Sequence, residues 1–146
     1  MTQQGRQVMI ELSTSIEDNG NVEKSQMKHT AEFFQKGKLD VLRYEEQDEN
    51  GSSTKNLITI QPDKVSIKRT GDVSMNQQFQ QGYITENVLK HPYGSMHMET
   101  STQTISYNAP TDHSEGRLKI DYTVKLNGQD ERSHEIKLTI IEEGAK

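Results

Sequence analysis

The 146-residue sequence contains no cysteine and no tryptophan. The lack of cysteine excludes disulfide bonds, thiolate metal sites and cysteine nucleophiles, and it is typical of proteins that work in a reducing cytoplasm. Aromatic residues make up only 5% of the chain, which argues against a large apolar cavity. No stretch approaches the roughly 18 apolar residues of a membrane span, and the N-terminal residues do not read as a signal peptide. We therefore expect a cytoplasmic protein without a membrane partner.

Charge of one sign is not concentrated anywhere in the chain. The sequence has 17 basic and 22 acidic side chains, a net charge of −5, and the two signs are interspersed. Such a mixed, acidic surface disfavours binding to nucleic acid, and no stripe of Lys and Arg with interleaved aromatic residues is present. We expect no nucleic-acid partner.

Apolar residues, only 29% of the chain, alternate with polar ones in most segments. A period of two places every second side chain on one face of a β-strand, and one apolar face with one wet face is typical of an antiparallel sheet. The clearest alternating runs are residues 8–12, 65–69, 118–126 and 134–140. We predict about ten strands, at residues 6–16, 23–35, 39–48, 54–61, 64–69, 73–79, 82–87, 95–107, 116–126 and 131–142.

Turn signals separate these strands. Asn-Gly occurs at residues 19–20, 50–51 and 127–128, and this pair suits tight hairpin turns because both residues tolerate positive φ. Strands joined in sequence order by tight turns predict an all-β, up-and-down meander, and a sheet this wide removes its edges by closing into a barrel of about eight to ten strands. We expect one domain over residues 1–146, with a two-sheet sandwich as the alternative and one short helical turn at residues 85–90 as the largest helix.

Signatures of common enzyme and cofactor sites are absent from the sequence. There is no Gly-rich phosphate loop and no Gly-x-Ser-x-Gly turn around a nucleophile. Among the five histidines, His91 and His97 are the most closely spaced, but their separation and surroundings do not match a metal motif. We expect no metal and no cofactor.

Arg69 is the most informative charged residue because it shares a strand face with Val65 and Ile67. A buried guanidinium is costly unless a carboxylate or a ligand anion pairs with it. Two interpretations stay open. Arg69 forms an internal salt bridge near a barrel end, with a partner among Glu32, Glu45 and Glu46, or it anchors the acidic head group of a ligand.

Methionines on one strand suggest the lining of a pocket. Alternation places Met96 and Met98 on one face, continued by Thr100, Thr102 and Thr104. Methionine adapts its shape to loosely specific pockets, although it also fills gaps in a core. The candidate ligand-contacting residues are Tyr44, Glu45, Arg69, Met75, Tyr93, Met96 and Met98.

A series of short motifs along the chain resembles the YwiB-like family of uncharacterised small proteins of Gram-positive bacteria. The motifs are Tyr44-Glu45-Glu46, Lys68-Arg69-Thr70-Gly71 with Met75 and Phe79, Pro92-Tyr93-Gly94 followed by Thr100, and Ile120-Asp121-Tyr122. The resemblance implies a calycin-like or lipocalin-like barrel and a cytoplasmic location. It implies no activity, and no catalytic residue follows from it.

Three functional hypotheses follow. The first is a barrel that binds a small, partly apolar ligand in a modest pocket with a polar end at Arg69. The second is a non-catalytic interaction module or homodimer with a filled barrel, since Phe33 and Phe34 place apolar side chains on both faces of one strand. The third is a hydrolase or isomerase that uses Glu45, Arg69 and Tyr93.

Overall fold

The computed structural model describes residues 5–47, 50–71, 73–111 and 113–142, with only the backbone of His91. These residues form ten β-strands and no helix. The strands are β1 (Arg6–Asp18), β2 (Asn21–Lys36), β3 (Leu39–Gln47), β4 (Ser53–Ile60), β5 (Lys64–Thr70), β6 (Met75–Gln80), β7 (Ile84–His91), β8 (Gly94–Asn108), β9 (Gly116–Leu126) and β10 (Arg132–Glu142).

Each predicted strand corresponds to one of these ten. The largest difference in bounds is at β7, which was predicted at residues 82–87 and is observed at Ile84–His91. The helical turn predicted at residues 85–90 is wrong, because β7 pairs with β8 from Ile84↔Ser101 to His91↔Gly94. This ladder supplies the backbone hydrogen bonds that a single helical turn would leave largely unmade.

All ten strands belong to one antiparallel sheet in the order β6-β5-β4-β3-β2-β1-β10-β9-β8-β7. The first and last strands are therefore neighbours, and the seam of the barrel lies mid-chain, between β6 and β7. At the seam, Ser74 and Lys90 exchange two backbone hydrogen bonds of 2.9 and 2.8 Å. The molecule is a nearly closed up-and-down barrel, and the two-sheet sandwich considered as an alternative is wrong.

Two of the three Asn-Gly pairs form turns with both residues at positive φ. Asn19 and Gly20 have φ of 52° and 85°, and they form a two-residue loop because Asp18 pairs directly with Asn21. Asn127 and Gly128 adopt φ of 49° and 73°. This left-handed pair matches the twist of the adjoining strands, which is why the sequence marks these turns so clearly.

Alternation in β8 changes phase at one bulge. Thr102 pairs with Tyr122 but Thr104 pairs with Asp121, so Gln103 is an extra residue in the ladder. Met98, Thr100 and Thr102 are buried, as predicted, whereas Thr104 is exposed. The prediction that Thr104 shares their face is wrong. After the bulge, the side chains that point inward are those of residues 105 and 107 instead of 104 and 106.

The core fills one end of the barrel, which we call the closed end. This end contains the start of β1 and β3 and the end of β2 and β4. Its most deeply buried inward side chains are at most 1% exposed, and they are Val8, Ile10, Phe33, Ile60, Val65, Phe79 and Ile140. The opposite end, which we call the open end, carries many inward side chains that are polar or half-buried, such as His29, Asn56 and Arg69.

A hydrogen bond crosses the barrel at the closed end. The hydroxyl of Tyr107 on β8 donates to Oδ2 of Asp40 on β3 at 2.6 Å, although five positions in the sheet order separate these strands. Burial and this carboxylate raise the pKa of Tyr107, so the phenol keeps its proton. The Arg6 guanidinium covers the Phe33 ring at 5.2 Å. These contacts seal this end.

Candidate functional site at the open end

A cavity of about 180 Å³ opens inside the barrel at the open end. We call it the Arg69 cavity. One part of its wall is apolar and the other part carries amide, phenol and charged groups. The lining residues are Leu12, Thr14, Met27, Tyr44, Glu46, Asn56, Ile58, Ile67, Arg69, Leu118, Ile136 and Leu138.

The polar wall of the Arg69 cavity is a row of residues across three neighbouring strands. Tyr44 on β3 pairs with Asn56 on β4, which pairs with Arg69 on β5. Cross-strand partners in an antiparallel sheet share a face, so all three side chains point inward once one does. Glu46 is two residues beyond Tyr44 and therefore lies on the same face. The register of β3–β5 thus places two charged groups and an amide together.

Hydrogen bonds join Glu46, Asn56 and Arg69 pairwise into one network. Asn56 is only 2% exposed, and its Nδ2 donates to Oε1 of Glu46 at 2.8 Å. Arg69 donates from Nε to Oδ1 of Asn56 at 3.2 Å and from a terminal nitrogen to Oε1 of Glu46 at 3.3 Å. Asn56 therefore links the two charges, and the salt-bridge interpretation of Arg69 is realised with Glu46 as its partner.

Tyr44 closes one side of the same wall as a neutral phenol. Its side chain is 7% exposed and its ring stacks on His29 at 5.1 Å between centroids. Burial, with the nearby Glu46 carboxylate, raises the pKa of Tyr44 to about 12. The hydroxyl therefore keeps its proton at neutral pH and contributes no charge.

A second cavity of about 230 Å³ lies at the same end, beside β6–β10. We call it the His134 cavity. His134 stacks on Tyr122 at 5.0 Å, and Tyr122 meets Phe79 edge-on at 4.7 Å. Burial, and secondly Arg132, lower the pKa of His134, so its imidazole is neutral at pH 7. Its lining residues are Ile16, Gln77, Leu89, Met98, Tyr122, Val124, Leu126, Gln129, Asp130, Arg132 and His134.

A side-chain hydrogen bond from the Gln77 amide stabilises the wall of the His134 cavity that lies nearest the seam. Nε2 of Gln77 on β6 donates to the Thr100 hydroxyl on β8 at 2.9 Å, and both side chains are buried. This bond reaches past β7 and joins β6 to β8 across the seam. The polar contact keeps the cavity wall in place where the backbone ladder is short.

Five of the predicted contact residues lie at the open end on the inner side of the barrel. Tyr44 and Arg69 line the Arg69 cavity, and Met98, 5% exposed, lines the His134 cavity. Met75 packs against the core, and Met96 is half-buried two residues before Met98. Their role in binding stays a prediction.

The other two predicted residues lie away from both cavities. Glu45 points to the outer face, where its carboxylate accepts a hydrogen bond from Ser53 at 2.7 Å. Tyr93 is 94% exposed at the tip of the β7–β8 hairpin. The structure therefore does not assemble Glu45, Arg69 and Tyr93 into the catalytic group that the third hypothesis requires.

The sequence analysis missed Asn56, His29 and His134 as members of the site. Each is a polar residue at an inward position of an alternating strand, the same signal that singled out Arg69. Asn56, for example, precedes Ile58 and Ile60 at spacing two. An inward position in an alternating strand therefore marks a polar site residue whether or not the residue is charged.

Metal-binding side chains do not cluster in the described ranges. No three of His, Cys, Asp or Glu come together there in an arrangement that would hold an ion. The same ranges contain no helix with the length and apolar character needed to cross a bilayer.

Comparisons with known proteins agree on the fold and on the family resemblance. The sequence model of the family described as "Domain of unknown function (DUF1934)" matches residues 10–138. The uncharacterised β-barrel protein YwiB of Bacillus subtilis (strain 168) is 30% identical over 132 residues, which cover 90% of this chain and 91% of that protein. The crystal structure of the B. subtilis ywiB protein superposes with a TM-score of 0.82 at 27% identity, covering 95% of this chain and 93% of that one. The predicted resemblance is confirmed.

Proposed function

The chain belongs to the DUF1934 family, and from the geometry of its open end we propose that it binds a small, partly apolar molecule there. The observation that carries this proposal is the Arg69 cavity, in which an apolar wall faces a fixed polar group. Ligand sites in proteins combine these two features, with the polar groups setting the orientation of the ligand.

The cavity volume limits the size of the ligand. Cavities for drug-sized molecules span roughly 300–1,000 Å³, whereas an apolar cavity of about 150 Å³ holds benzene. At about 180 Å³, the Arg69 cavity accommodates a ligand with on the order of six to eight non-hydrogen atoms. The filled closed end leaves no room for a long chain to continue along the barrel axis.

Titration with hexan-1-ol, followed by amide chemical shifts in nuclear magnetic resonance, tests the proposal. We expect shift changes that saturate and that centre on inward residues of β1 and β3–β5. Thr14→Phe should abolish them by filling the cavity, because Thr14 lines it. Ser15→Phe is the matched control on the outer face of the same strand and should leave the titration unchanged. Absence of saturating shifts in the wild-type protein, or their persistence in Thr14→Phe, would refute binding at this site.

Pairing with a second copy of the chain is a separate prediction. The apolar residue that suggested it, Phe34, is covered within the chain by the Arg43 guanidinium at 5.3 Å from the ring centroid. Exposed apolar side chains are instead found on β7, where Ile84 is 67% and Val88 47% exposed. Light scattering at increasing concentration tests the dimer, and a constant monomer mass would argue against it.

The cytoplasm is the compartment that we propose for the protein, on the strength of a sequence without cysteine. Fractionation of cells that produce a tagged chain would test this location.

The finer likeness to lipocalins and other calycins also stays a proposal, supported by the meander order of the strands.

A further inference from the structure

We infer that the Arg69 cavity selects an uncharged, hydrogen-bonding head group, such as a primary amide, over a carboxylate or an ammonium group on the same chain. This inference rests on the proposed function and specifies the ligand class of that site. It also decides against an acidic head group, one of the two interpretations of Arg69 that the sequence left open.

The charges of the cavity already balance each other. Among the described lining residues, Arg69 and Glu46 carry full charges, and they lie 3.3 Å apart. The side chains of this pair are 36% and 23% exposed, so water screens them only in part. Tyr44 stays neutral beside them. A binding site with one cation and one anion in contact has no net charge to offer a ligand ion.

A charged head group would lose as much as it gains in this site. A carboxylate that approached Arg69 would also approach Glu46, and like charges at short range repel each other. An ammonium group drawn to Glu46 would meet Arg69 in the same way. In addition, each ion would give up part of its hydration, a cost that an unpaired charge does not recover.

A neutral amide fits the same groups without this conflict. Its carbonyl oxygen accepts from a guanidinium, and its NH₂ donates to a carboxylate or to an amide oxygen. Arg69 and Glu46 bond to each other and to Asn56, and beyond these bonds a guanidinium has further N–H donors and a carboxylate has a second oxygen. The apolar side chains opposite, among them Leu12 and Met27, would contact an alkyl chain of about five carbons in a cavity of this size.

Competition among three probes with the same number of carbon atoms tests the selectivity. Hexanamide, hexanoate and hexylamine are titrated into the wild-type protein near pH 7, where the second is anionic and the third cationic. We expect hexanamide to bind on the order of tenfold more tightly than either ion. Circular dichroism of each variant described below verifies that it is folded.

Two substitutions should reverse the preference in opposite directions. Glu46→Gln leaves Arg69 without its counter-ion, so hexanoate should become the tightest of the three probes. Arg69→Gln leaves Glu46 unbalanced, so hexylamine should become the tightest. Glu11→Gln and Lys68→Gln make the same charge changes on outward-facing residues of β1 and β5, and both should keep the wild-type order.

The outcomes separate the inference from the proposed function. Tightest binding of hexanoate by the wild-type protein, or the wild-type order in both Glu46→Gln and Arg69→Gln, would overturn the inference while leaving the site as a binding site. Failure of hexan-1-ol and all three probes to bind any form of the protein would overturn both. Reversal in each variant with unchanged order in both controls supports the neutral head group.

Discussion

The two ends of this barrel are built from the same ten strands but have opposite interiors. At the closed end most inward residues are aliphatic or phenylalanine, with the bonded pair Tyr107 and Asp40 as the polar exception, and Phe33, Phe79 and Val65 are fully buried. At the open end the inward positions of the same strands carry residues such as His29, Asn56 and Arg69. The first end is a packed core, and the second is a polar wall around two small cavities.

This contrast indicates where stability and binding are located. Close packing of apolar side chains contributes most of the free energy of folding, and buried polar groups contribute little net energy even when they are paired. A protein that keeps its packed apolar core at one end of the barrel can carry unfilled space and charged groups at the other end without losing that core. The effects of substitutions at the two ends should therefore differ in magnitude and in kind.

The largest effect should come from truncating the core of the closed end. Phe79→Ala removes a ring with no solvent exposure and should lower the free energy of unfolding by about 3–5 kcal/mol, since it leaves a cavity among packed neighbours. Urea denaturation measures this loss. Met27→Ala, at the half-buried wall of the Arg69 cavity, should cost about 1 kcal/mol or less. Equal losses in the two variants would show that the ends do not differ in packing.

A smaller effect is expected from the cross-barrel hydrogen bond that seals the closed end. Tyr107→Phe removes the donor and leaves the carboxylate of Asp40, itself only 8% exposed, without this partner. The cost should be about 1–3 kcal/mol in urea denaturation. Asp40→Asn keeps an acceptor oxygen and should cost clearly less. If the two variants are equally destabilised, the charge of Asp40 rather than the hydrogen bond is what matters.

The open end should tolerate the loss of a charge far better. In Arg69→Met the partner carboxylate of Glu46 keeps access to water, so the free energy of unfolding should change by about 1 kcal/mol or less, in either direction. Thermal unfolding provides the measurement. A large destabilisation would mean that Glu46 is sealed inside and that the open end resembles the closed one.

The smallest effect should be a pH dependence that originates at the open end. Burial lowers the pKa of His134 in the folded state, so below about pH 6.5 the unfolded chain takes up the proton first. Stability should therefore be highest above this pH and decline as the pH falls from about 7 toward the folded-state pKa. His134→Gln should flatten this part of a plot of unfolding free energy against pH. An identical slope in the variant would assign the dependence to other groups.

The fold was predictable from the sequence to a large extent, and the site only in part. Strands and their inner faces followed from alternation, and the turn at Asn19-Gly20 followed from the preference of the pair for positive φ. The strand at residues 84–91 was harder, because its identity depends on pairing with β8 rather than on its own pattern.

Within the site, Arg69 could be identified but its surroundings could not. An arginine at an inward position signals a partner, yet the sequence offered three glutamates as candidates. Only the register Tyr44↔Asn56↔Arg69 selects Glu46 and adds Asn56 between the charges. Glu45 has the same charge and lies one position away, but the pleat turns it to the outer face.

The sequence by itself determined the period of two, the turn residues and therefore a meander of antiparallel strands, because these depend on each residue and its near neighbours. The tertiary structure alone decided the bulge at Gln103, the seam between β6 and β7, and which end of the barrel is filled. These features depend on the register between strands and on contacts across the interior, such as that between Tyr107 and Asp40. Such contacts join residues distant in the chain, so no local pattern encodes them.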